Sequence, residues 1–140
     1  MILLDTNVVS EPLKLNADPT VVAWIDAQMI ETLYLSTVSV TEMRYGIAVL
    51  PDGKKKEGLR TSLDERILPL FESRILPFDM EAAEICAELR ARARAAGQGL
   101  GTADSYIAGI AAAKGLTVAT RDTQPFEATG VTVINPWKTA

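Results

Sequence analysis

The chain has 140 residues, 48% hydrophobic and 23% charged, with a formal net charge of −4 and a pI near 4.8. That is the size of one domain with one sizeable core, and the composition excludes a disordered chain. An acidic surface also excludes extended non-specific binding to polyanions, though not a nuclease, because a bound divalent cation inverts the local field.

Taken in order, short apolar runs alternate with longer helical patterns. The first strand is predicted over 2–4 and runs into Asp5-Thr6-Asn7. A helix over 19 to about 28 follows, then a strand over 33–35 and a helix over 40–50 that carries Glu42. Next come a helix over 54–71, a two-residue strand over 75–76 and a helix over 79–96. In that last helix Ala82, Ile85, Cys86 and Leu89 fall at i, i+3, i+4 and i+7, a core-facing stripe, while Glu81, Glu84, Glu88 and Arg92 form a solvated face. Gly97 to Gly101 then reads as a helix stop, since no Lys-Ser/Thr follows as a phosphate loop requires. A helix over 102–114 carries Asp104, and strands over 117–119 and 131–134 close the chain, with Asp122 just after the first of them. This alternation predicts an α/β fold, a parallel sheet with helices on both faces, in a single domain spanning 1–140. The start lacks the basic region of a signal peptide, and the longest apolar run, 106–113, is far short of a membrane span. With one Cys and no possible internal disulfide, a reducing cytoplasm is the expected location.

Four acids attract notice: Asp5, Glu42, Asp104 and Asp122. Each has an ordinary structural explanation. Asp5 suits a helix N-cap, and Glu42 lies three residues after Ser39, as in a capping box. Asp104 suits the first turn of a helix, and Asp122 a strand-to-loop turn. Jointly those explanations weaken. In an open parallel sheet, ligands bind beyond the carboxyl ends of the strands where strand order reverses. If the first and fourth strands are neighbours there, Asp5 and Asp122 face one crevice, and Glu42 and Asp104 lie on its rim. Two carboxylates 4 Å apart repel by roughly 4 kcal/mol at an effective dielectric of 20. Four together therefore imply a positive occupant. With no His in the chain, hard oxygen ligands point to Mg²⁺, with Mn²⁺ as a substitute, rather than Zn²⁺. Such a cation activates a water for attack on phosphorus and neutralises the leaving oxygen. Thr6, Asn7 and Thr120 are placed to orient the carboxylates or the cation's waters. Arg44 and Arg121 flank the acids and suit either a scissile phosphate or plain ion pairs; Trp24 and Trp137 read as packing residues.

Asp5-Thr6-Asn7, Val40-Thr41-Glu42-Met43-Arg44-Tyr45-Gly46, Thr102-Ala103-Asp104-Ser105-Tyr106-Ile107-Ala108 and Thr120-Arg121-Asp122 resemble the PIN-domain motifs. The particular resemblance is to bacterial toxin–antitoxin ribonucleases of the VapC type, FitB-like members above all, and it extends through Ser10-Glu11-Pro12 to Asn135-Pro136-Trp137. It implies a Rossmann-like five-stranded parallel sheet of order 3-2-1-4-5 and Mg²⁺-dependent endoribonuclease activity, with Asp5, Glu42, Asp104 and Asp122 as catalytic metal ligands. It also implies a homodimeric toxin that pairs with a small antitoxin, often of the ribbon-helix-helix type, so that operator DNA is reached only through the antitoxin. That antitoxin is expected to feed a C-terminal segment, commonly with an Arg, into the acidic site. Two other readings compete. One is a metal-dependent phosphatase with Asp5 as nucleophile, although the second Asp such sites want two residues on is Asn7 here. The other is a non-catalytic regulator acting through its partner on DNA.

Overall fold

A computed structural model describes residues 1–138. Five parallel strands form one sheet of order β3-β2-β1-β4-β5: β1 (Ile2–Leu4), β2 (Leu33–Ser36), β3 (Ile75–Leu76), β4 (Thr117–Ala119) and β5 (Val133–Ile134). The order agrees with the 3-2-1-4-5 sheet that the family resemblance implied. It makes β1 and β4 neighbours, in the register Ile2↔Thr117 to Leu4↔Ala119. The strands are short and apolar because both faces of the sheet are covered. Alternate side chains feed opposite layers. Leu3 and Val118 join the core under helices α5 (Met80–Ala95) and α6 (Thr102–Lys114), with Phe126. Leu4 and Ala119 join the core under α1 (Thr6–Ser10), α3 (Thr37–Ala48) and the segment that follows it. Among the described residues no helix is long and apolar enough to cross a membrane.

Several helices differ from the predicted bounds for identifiable reasons. Helix α3 begins at Thr37, because Ser36 ends β2 and its hydroxyl accepts from the Ser39 amide at 3.1 Å. Ser39 is therefore not the cap, and Glu42 sits in the second turn, outside any capping box. The stretch predicted as one helix over 54–71 is α4 (Lys54–Ser62), then a π segment (Leu63–Ile67), then a 3₁₀ turn (Leu68–Phe71). Pro69 has no amide to continue the α ladder, and the chain retightens around it. The five-residue helices α1 and α7 (Thr123–Glu127), together with a 3₁₀ turn (Glu11–Leu13), are too short to leave a periodic signal. Only α2 (Pro19–Asp26), capped by Asp18, was expected in that early region. Buried Glu11 joins the two: it accepts from the Asp18 amide at 3.1 Å and pairs with Lys14 at 3.0 Å. Burial pushes its carboxyl up, but those two donors together hold it below its ordinary value.

The α5 stripe is as read, with Ala82, Cys86 and Leu89 buried and Ile85 partly so. The tightest approach is to α6 at Gly109, where an added Cβ would lie 2.7 Å from the Ala82 carbonyl oxygen and 2.9 Å from Cys86 Cβ. Gly109→Ala is thus expected to destabilise the protein by about 1–3 kcal/mol despite alanine's better helix propensity, because backbone must shift to admit the methyl. A urea-unfolding midpoint equal to or above that of the parent protein would show that α5 yields freely.

Candidate active site

The site lies beyond the carboxyl ends of β1 and β4. Asp5 directly follows β1, and its amide donates to the Ala119 carbonyl at 2.9 Å, which welds it to β4. The residue is 6% exposed, and its side chain caps α1. One carboxylate oxygen accepts from the Thr6 amide and the other from the Thr120 hydroxyl, both at 2.8 Å. Thr120 in turn accepts from the Asp122 amide at 3.1 Å, so the turn after β4 is built onto Asp5. Asp122 opens α7, but its carboxylate makes no capping hydrogen bond and is exposed. Asp104 is half-buried in the first turn of α6, where the helix dipole favours a negative charge.

The four acids feel one another. Asp5 has its pKa pushed up to about 6, first by burial and then by Asp104 and Glu42, against the lowering effect of its two hydrogen bonds. Asp104 is raised by burial, then by Asp122 and Glu42. The structure thus brings Asp5, Glu42, Asp104 and Asp122 into one electrostatic neighbourhood from four separate segments. As the side chains stand, no three His, Cys, Asp or Glu groups among the described residues close on a single point. Glu42 and Asp122 are exposed, whereas Asp5 is buried and held by two hydrogen bonds. The donor set is all carboxylate oxygen, suited to a hard divalent cation.

Glu42 is positioned by hydroxyls rather than by its own helix. Thr6 Oγ1 lies 2.5 Å from Glu42 Oε1 and 2.9 Å from Ser39 Oγ, and Ser39 Oγ lies 3.4 Å from Ser36 Oγ. An ionised carboxylate only accepts, so the Thr6 proton goes to Glu42 and Thr6 accepts from Ser39. Ser36, which accepts from the Ser39 amide, then donates to Ser39. The chain of donors runs one way, from a buried amide to the carboxylate. Ser36 and Ser39 are fully buried. Sequence reasoning missed both as site residues, because Ser39 had an ordinary use as a cap. Asn7 makes no side-chain hydrogen bond to an acid among the described residues: its Oδ1 accepts from the Arg121 amide at 3.4 Å.

Of the flanking cations, Arg44 is paired with Asp64 at 2.7 Å, an ordinary surface ion pair. Arg121 instead lies over the Trp137 ring, 5.2 Å from its centroid. Trp24 packs against the β1–β2 core, as does Trp137. Beside the acids runs a groove of about 1000 Å³ between α1, α3 and α4. Its lining includes Leu13, Met43, Ile47, Leu59 and Leu63, the cations Lys14, Lys54, Lys55 and Arg66, and Thr6 and Glu42 of the site.

Comparison with known proteins gives a consistent answer. Residues 2–131 match the model of the PIN domain. The chain is 56% identical over 138 residues to the plasmid stability protein StbB of Pseudomonas syringae pv. tomato, covering 99% of each chain. It is 52% identical over 140 residues to the VapC ribonuclease Y4jK of Sinorhizobium fredii, covering 100% of both. Its fold superposes with a TM-score of 0.97 on a chain from the structure of FitAB bound to an IR36 DNA fragment, at 50% identity, covering 100% of this chain and 98% of that one. With the family model matched over residues 2–131, relatives of 52–56% identity over nearly the whole chain and a sheet of the implied order, the chain belongs to the PIN-domain family.

Proposed function

We propose that this protein, as a single PIN domain, is the toxin of a toxin–antitoxin pair and a Mg²⁺-dependent endoribonuclease. The observation that carries the reading is the neighbourhood of Asp5, Glu42, Asp104 and Asp122, assembled from four segments with Asp5 buried and raised to about 6. These four residues would hold the cation, with Mn²⁺ able to replace it. When bound, it supplies an acidified water and charge neutralisation at the leaving oxygen of an RNA phosphodiester. The chain's own part is to keep the ligands placed: Thr120 and the Thr6 amide fix Asp5, and the Thr6 hydroxyl fixes Glu42. The ribonuclease name of the Sinorhizobium relative and the plasmid-stability name of the Pseudomonas one support this assignment.

The partner is a small DNA-binding antitoxin of the ribbon-helix-helix type, and operator DNA is reached through it. Support comes from the DNA-bound FitAB structure and from this chain's own acidic surface. The groove, which Glu42 also lines, suits a helical antitoxin segment whose tail reaches the acids. The protein acts in the cytoplasm as a homodimer, with a larger assembly once the antitoxin binds. A phosphatase mechanism fares worse, since the position two residues after Asp5 is Asn7, already engaged with the Arg121 amide.

The deciding experiment is incubation of total cellular RNA with the antitoxin-free protein. Discrete cleavage in millimolar Mg²⁺ or Mn²⁺, abolished by chelator, is the expected result, together with a rise in melting temperature on adding either metal. Intact RNA and an unchanged melting curve under all conditions would sink the ribonuclease reading. If the antitoxin complex of that inactive protein still bound DNA, the non-catalytic regulator would take its place.

A further inference from the structure

Arg121 stands between Thr120 and Asp122 in the chain, yet its guanidinium pairs with no carboxylate among the described residues. A free arginine beside four acids would ordinarily fold onto one of them. Here it is held on the Trp137 indole, with its carbon 5.2 Å from the ring centroid. At the bend after β4 the Thr120 hydroxyl donates to Asp5, while the Arg121 guanidinium lies on Trp137. The stack is anchored at its backbone. Asn135 Oδ1 accepts from the Trp137 amide at 2.9 Å, and Asn135 Nδ2 reaches the Arg121 carbonyl at 3.5 Å. Asn7 Oδ1 takes the Arg121 amide at 3.4 Å from the other side. Two asparagines from opposite ends of the chain thus fix the residue on which the guanidinium is displayed.

We propose that the Arg121–Trp137 stack is a substrate-binding element that holds a phosphate of the RNA strand next to the one cleaved. The proposal rests on the ribonuclease reading. A flanking phosphate fits this arrangement: the guanidinium is committed to Trp137 and pairs with none of the acids that would surround the scissile link, so it serves a neighbouring link of the strand. Trp137 has two effects. It pre-organises the cation, which lowers the ordering cost of binding. It also keeps that cation off the carboxylates, which leaves them free for a metal. Arg44, committed to Asp64, has neither property.

The test compares wild type, Arg121→Gln, Arg121→Lys and Trp137→Leu. A labelled single-stranded oligoribonucleotide is titrated in chelator at several salt concentrations, KM is measured in Mg²⁺, and Mn²⁺ affinity is measured by calorimetry. Arg121→Gln should weaken RNA binding about 5-fold, raise KM more than it lowers kcat, and flatten the salt dependence by about 0.7 in log–log slope, the share of one phosphate on a single strand. Arg121→Lys should retain most of the slope. Trp137→Leu should weaken Mn²⁺ binding as the released arginine settles on the acids, whereas Arg121→Gln should not. An Arg121→Gln protein with wild-type RNA affinity and salt slope overturns the proposal. Equally, a Trp137→Leu protein with unchanged RNA and Mn²⁺ affinities shows that the stack has no such role. If the wild type itself neither binds nor cleaves RNA, the ribonuclease reading fails and the proposal falls with it, a distinguishable result.

Discussion

Asp5→Asn is expected to abolish RNA cleavage, by at least about 100-fold, while making the metal-free protein more stable at neutral pH. The two effects have one origin. Asp5 is buried against Ala119 and Thr120 and sits near Asp104 and Glu42, so its folded-state pKa is about 6, above the ordinary 3.8. A carboxyl raised on folding favours the folded state fully only while it is protonated in both states. As pH rises through 3.8 towards 6, the unfolded chain ionises first and that advantage is lost. The metal-free protein should therefore lose stability across this interval, by about 3 kcal/mol for the shift quoted. Asp104, shifted in the same direction, steepens the loss. Asparagine keeps an oxygen for the Thr6 amide and presents an amide that the Thr120 hydroxyl can accept, so the cap survives without the charge. The variant should gain about 1–3 kcal/mol at pH 7 to 8 and lose much of the pH slope. Denaturant unfolding in chelator at pH 4.5, 6 and 7.5 reads this directly. A variant that is less stable than the parent at every pH would instead make Asp5 chiefly a helix cap.

Much of this architecture is legible before any coordinates, and the exceptions are physical rather than accidental. Strands β1, β3 and β4 have the bounds read from the sequence, because a short apolar run buried on both faces has few other ways to fold. The sheet order was not available from periodicity; it came from the resemblance of the four motifs. The start of α3 was misplaced because Ser36 and Ser39 are both plausible caps. The choice is made by β2, whose pairing with β3 extends through Ser36↔Leu76 and leaves Ser36 as the last extended residue. The break near Pro69 was hidden by helix-compatible residues on either side. At the candidate site, the acids stand out because strand ends and helix starts are where such groups collect. The hydroxyl chain through Thr6, Ser39 and Ser36 does not, since it joins residues 33 positions apart, each with a commonplace local role. The Arg121–Trp137 stack is hidden for the same reason. An arginine beside an acid suggests an ion pair until the fold supplies an indole.

Asp104→Asn is expected to weaken the binding of metal and of the antitoxin's tail together, by about 10-fold or more for each. Asp104 is central to the electrostatic set, being coupled to Asp5, Asp122 and Glu42. An arginine on the tail would meet those carboxylates bidentately, which satisfies their charge without supplying the chemistry of a divalent cation. Metal and guanidinium would then occupy the same negative field and exclude each other. Millimolar Mg²⁺ should accordingly reduce the affinity of a synthetic tail peptide, and the peptide should in turn reduce the affinity for Mg²⁺, as linkage demands. The groove is a separate matter. Its accessible apolar walls, Pro12, Leu13, Leu15 and Leu59 among them, would hold the helical part of the partner with little regard for metal. A longer peptide that includes this part should therefore still bind Asp104→Asn, through the groove, while its tail no longer competes with Mn²⁺. Two outcomes would defeat the idea of shared occupancy: short-tail affinity that is indifferent to saturating Mg²⁺, or an Asp104→Asn protein that loses metal but keeps the short tail. In either case inhibition would have to come from the groove alone, by blocking the approach of RNA to the acids.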